Sequence, residues 1–176
     1  MPLLSRAALA RREPSLIDKA ARTTTVPLHL TGAVAWGALM TLSAALALYR
    51  HNGLQTDRLD SLLIVYFLGG ALAWPLAVTA AGWLSGGKPV ETRFAACLLC
   101  LALATMSMTA FLFALDYRVF YSRWHAPAGS LIWMFQFVFT GASAVYQFGV
   151  LGSRLFLPLG LIWLPTASYY LARRLR

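Results

Sequence analysis

Charge is scarce in this sequence. Asp, Glu, Lys and Arg make up 12% of its 176 residues and hydrophobic residues 59%, whereas an ordinary soluble domain carries roughly 25% charged residues. A chain so poor in charge cannot dress the surface of a water-soluble globule, and the expected class is a polytopic membrane protein. Acidic residues are scarcer still, with six against fifteen Lys and Arg. In a soluble protein the resulting net charge of +9 would suggest nucleic acid. Here the basic residues stand at the ends of apolar runs, where they orient spans and meet anionic lipid, so no nucleic-acid partner is expected. No Asp, Glu, Lys or Arg falls in the middle third of an apolar run, which disfavours an ion-driven carrier, since such carriers need an ionisable group inside the membrane.

Cysteine is limited to Cys97 and Cys100, both within one apolar run. The spacing is that of a redox pair, and a membrane thiol oxidoreductase is the most distant of three functional expectations. Disulfide relay needs a second pair to exchange with, and the chain has none, so small packing residues are the expected role. Histidine is limited to His29, His51 and His125, at span ends or in loops, and no two face each other at one depth to hold haem. No metal and no cofactor is expected. Gly86-Gly87-Lys88 resembles the end of a phosphate loop, but Pro89 follows and the rest of that motif is missing.

What the sequence does contain is apolar runs of membrane-crossing length. The expected fold is all-α, a bundle of five transmembrane helices over about 28–49, 61–84, 94–115, 129–150 and 155–172, behind a basic amphipathic arm over 1–25. Small residues recur every four positions: Ala33, Gly37, Thr41 and Ala45 in the first run, Gly69, Ala73, Ala77 and Ala81 in the second, Ala96, Cys100 and Ala104 in the third. Such faces let helix backbones approach closely where lipid offers no hydrophobic drive to associate. Gly37, Gly69, Ala73 and Ala77 are therefore expected packing residues, serving the fold, a protein partner or self-association. The final run contains Pro158, Gly160 and Pro165, and the alternative to five spans is four plus a re-entrant or interfacial C-terminal segment. The distribution of Lys and Arg favours four, and the absence of charge between Leu155 and Ala172 favours five. Five is the expectation carried forward, with the N terminus cytoplasmic in a bacterial inner membrane.

Polarity concentrates between Tyr117 and Arg154. In the fourth run Gln136, Thr140, Ser143 and Gln147 recur at spacings of four, three and four, which puts them on one helix face. An unpaired amide in hydrocarbon costs several kcal/mol, so this stripe should meet protein or a water-filled cleft. Before it, Asp116, Arg118, Arg123, Trp124 and His125 form a candidate cluster for an anionic headgroup or other ligand at the far face of the membrane. The first functional expectation is a non-enzymatic membrane subunit or accessory factor. The second is a small carrier or flippase for an amphipathic or lipid-linked substrate.

Overall fold

The computed structural model describes residues 16–157 and 159–174, with side chains from residue 29 onward. Within them the chain is all-helical: α1 (Leu16–Arg50), α2 (Leu59–Ser85), α3 (Val90–Tyr121), α4 (Leu131–Val150) and α5 (Gly160–Arg174), with no strand among the described residues. The chain divides into two compact units, Met1–Thr31 and Gly32–Arg176. The first fifteen residues of the expected N-terminal arm lie outside the described residues. Four helical stretches are long and apolar enough to cross a membrane: His29–Arg50, Leu59–Ser85, Val90–Trp124 and Leu131–Phe156. The fifth helix, with 15 residues, is too short for a full span, which takes about 20.

In the unit Gly32–Arg176, glycines set how closely the first three helices meet. A Cβ on Gly37 would lie 2.7 Å from the Phe67 carbonyl oxygen, one on Gly70 3.0 Å from Gly37 Cα, and one on Gly69 2.9 Å from Thr109 Cα. At Gly37 and Gly69 these distances are closer than real side-chain carbons come to a neighbour, and at Gly70 the contact is tighter than nearly all of them, so the backbones would have to shift to admit a side chain. Gly37, Gly69, Ala73 and Ala77 are all buried. The indole of Trp36 on α1 crosses to α3 and donates to Thr105 Oγ1 at 3.0 Å. On α3 the buried line is Cys97, Leu101, Thr105 and Thr109, one position on from the expected Ala96, Cys100 and Ala104. Both cysteines are free, Cys97 buried and Cys100 half-buried.

Six hydroxyls inside the helices are satisfied locally, whereas the buried Thr109 Oγ1 has no hydrogen-bond partner among the described residues. Thr41, Ser43, Thr79, Ser85, Thr166 and Ser168 each donate to the carbonyl four residues earlier, so they place no demand on a neighbouring helix or on lipid. We call the end of the bundle where α1 finishes and α2 begins distal, and the end where α2 finishes and α3 begins proximal. At the distal end Asn52 adopts the left-handed conformation, φ 54°, which Asn tolerates in a tight turn.

Candidate functional site

α4 is capped by Ser130, whose Oγ accepts the Trp133 N–H at 3.1 Å. Its polar residues then turn back on the segment that precedes it. Gln136 Oε1 accepts the Ala126 N–H at 2.8 Å, Thr140 Oγ1 lies 3.3 Å from His125 Nε2, and Gln147 Nε2 reaches the Tyr117 hydroxyl on α3 at 3.5 Å. Three of the four stripe residues are thus answered within the chain. Ser143 departs from this set, because it is exposed. The covered face of α4 centres on Trp133, Ala144 and Phe148, which rotates the contact away from Ser143 and leaves it past the edge.

The expected ligand cluster is dispersed. α3 continues to Tyr121, so Asp116 and Arg118 belong to one helix, where two residues on is a rotation of about 200°. They face opposite ways and form no pair. Asp116 instead binds Arg58, at the start of α2, with Nη2 2.8 Å from Oδ1. Arg118 stacks over the α4 rings of Phe137 and Trp133, 4.0 and 5.6 Å from their centroids. Arg123 and Trp124 are exposed and lie against each other, the guanidinium 5.5 Å from the ring, and His125 belongs to the contact with Thr140.

Two cavities border α3. One, of about 270 Å³, opens at the distal end between α2, α3 and the end of α4, and brings Arg58, Asp116, Tyr117 and Gln147 above a floor of Val65 and Phe113. It joins one residue of the expected cluster and one of the stripe to Arg58 and Tyr117, which were not among the expected site residues. The other, of about 250 Å³, is apolar and lies halfway along the bundle, where Trp36 and Met106 face Phe156, Leu161 and Leu164.

The second cavity exists because α4 and α5 do not continue one another. α4 ends at Val150 and a tight turn occupies Gly152–Phe156. The phenol of Tyr66, itself fully buried, donates to the Gly152 carbonyl oxygen at 2.5 Å, and its ring lies 5.0 Å from Phe156 and 6.5 Å from Phe148. The expected final run from Leu155 is therefore corrected: Leu155 and Phe156 belong to this turn, and the helix begins at Gly160. Arg154, placed by the sequence between two spans, is an exposed member of the same turn, beside residues that line the mid-bundle cavity.

No protein-family model, curated protein or solved structure matches this chain. The functional reading therefore rests on geometry and chemistry alone. A sequence signal for the turn did exist in Gly149, Gly152 and Ser153, but nothing local indicated that Tyr66 would hold it. Arg58 carried no signal beyond lying near a helix start.

Proposed function

We propose that the chain is a non-enzymatic, multi-pass component of a membrane complex, a small subunit or accessory factor that meets another membrane helix through α4. A contrast among its glycines supports this reading. Gly32, Gly37, Gly69 and Gly70 are closed by side chains or backbone of a neighbouring helix, so these small-residue positions of α1 and α2, expected to serve the fold, a partner or self-association, are filled inside the chain. Gly141 and Gly149, with Val145 midway between them, share one face of α4, and a Cβ on either would meet nothing within 4 Å. α4 is also the least covered span, with 11% of its apolar window buried against 44% for α2. Small residues at this spacing suit close approach of a second helix.

Gly141→Leu and Gly149→Leu should not lower stability, because the added atoms enter open space and replacing a helical glycine adds up to about 1 kcal/mol. Both should lose the stoichiometric partner that copurifies with the parent after mild detergent extraction. A partner retained by both variants would overturn the assignment of α4.

The same proposal includes a topology of four crossings, the last in two pieces. The distal half of α3 is already occupied by the end of α4, where Phe113 meets Phe148 and Tyr117 meets Gln147. The start of α5 lies at Met106, halfway along α3. The remaining surface of α3 is its proximal half, and we place α5 there, ending beside Val90. By the sequence count, four crossings with a returning last segment give ten Lys and Arg to the amino-terminal side against four, Arg50, Arg58, Arg118 and Arg123, to the other. That bias fits a cytoplasmic N terminus, as in a bacterial inner membrane. A reporter active only in the cytoplasm, fused after Arg176, should give a strong signal; silence would restore the five-span expectation.

The carrier or flippase reading stands second. In its favour is the interruption itself, since carriers bind substrate where a crossing helix is broken and non-helical backbone lines a cavity.

A further inference from the structure

We infer that the distal cavity between α2, α3 and the end of α4 is a binding site for a zwitterion, a molecule carrying an oxyanion and an ammonium a few ångströms apart. Arg58 and Asp116 meet through one contact, Nη2 to Oδ1 at 2.8 Å. A guanidinium has five N–H donors and a carboxylate two oxygens, so each partner keeps capacity beyond that bond. Both remain accessible, their side chains 40% and 34% exposed. The site offers one positive and one negative group side by side. A ligand bearing a single charge satisfies one of them and is repelled by the other, whereas a dipolar ligand satisfies both.

The surrounding chemistry fits the same ligand. The Arg58 guanidinium lies 4.6 Å from the Phe120 ring centroid, which holds it at the cavity wall. Tyr117 and Tyr121, with ring centroids 4.6 Å apart, line the cavity beside Asp116, and aromatic faces attract ammonium groups. Arg58 would take the oxyanion by charge-assisted hydrogen bonds, and Asp116 with the tyrosine rings would take the ammonium. The apolar floor of Leu62, Val65 and Phe113 accepts the first methylenes of an attached chain. Two sources carry this chemistry, a zwitterionic lipid headgroup and a free zwitterionic phosphate.

The test uses the full chain in a maltoside detergent, with retention read by native mass spectrometry and thermal midpoint. Probes are phosphatidylethanolamine, phosphatidylglycerol of the same acyl chains, and phosphoethanolamine. Phosphatidylethanolamine should be retained about tenfold better than phosphatidylglycerol, the ratio expected from one charge-assisted contact. Asp116→Asn should abolish that preference, since only the ammonium distinguishes the two lipids, and Arg58→Gln should weaken retention of both, each variant leaving the lipid-free midpoint nearly unchanged because a partly exposed ion pair contributes little to stability. Protection by phosphoethanolamine equal to that by the lipid assigns the site to a soluble zwitterion; protection only with acyl chains assigns it to lipid. Equal retention of both lipids by the parent, a preference that survives Asp116→Asn, or undiminished retention in Arg58→Gln would overturn the inference.

Discussion

Leucine in place of Gly69 is expected to cost the protein a large part of its stability, on the order of 3 kcal/mol, the upper end of the range for overpacking a close helix contact. The first added carbon would already stand 2.9 Å from Thr109 Cα and closer still to its hydroxyl, and the remainder of the side chain has nowhere to go. Backbone cannot rotate away as a side chain can, so α2 and α3 must separate along the line continued by the buried Ala73, Ala77 and Ala81. The gain in helix propensity from replacing glycine, under about 1 kcal/mol, does not offset this. The measurement is folded yield and thermal midpoint in detergent, with Gly141→Leu as the matched control in open space. A midpoint for Gly69→Leu equal to the parent's would refute the packing described.

Tyr66→Ala should be comparably damaging, about 3–5 kcal/mol, as for other large buried aromatics. Tyr66 is fully buried and its ring is the piece against which both Phe148 and Phe156 rest, so removal opens a cavity at the junction of α2 with the turn after α4. Tyr66→Phe separates the two contributions. It keeps the ring and strips the Gly152 carbonyl of its donor, for an expected loss of about 1–3 kcal/mol. Equal thermal midpoints for the parent and Tyr66→Phe would mean that the phenol does not hold the turn.

Helical class and apolar stretches were readable from the sequence because they depend on local quantities, run length and the absence of charge. The packing line on α2 was readable for the same reason, since Gly69, Ala73, Ala77 and Ala81 offer one small face and no competitor. On α3 two adjacent lines qualified. The choice of Cys97, Leu101, Thr105 and Thr109 is fixed from outside the helix, by an indole on α1 that needs Thr105 and a glycine on α2 that admits Thr109. The ligand cluster failed on similar grounds. Arg118 was nearer to Asp116 in sequence, but helical geometry sends it to α4, and the partner of Asp116 comes from 58 residues away. The amides of α4 were read as needing partners, and in the structure both have contacts within the chain. Gln136 found its partner ten residues back, in the connector that the same reading had assigned to a ligand site. The interruption before α5 is held by a bond spanning 86 residues, beyond the reach of any pattern in a window.

The interruption bears on how the chain is made. A helix of 15 residues covers about 22 Å, short of the roughly 30 Å of a bilayer's hydrocarbon, so in the proposed topology α5 cannot halt in the membrane on its own strength. It needs α2 and α3 already in place, with Tyr66 waiting for Gly152 and a proximal surface ready for Leu171 and Ala172. In that topology the first three crossings can settle before α5 is made; the fourth seats only after it. Chains cut short before Gly160 would therefore carry three seated helices and an α4 that lacks the second piece of its crossing, a species for quality-control proteases to clear.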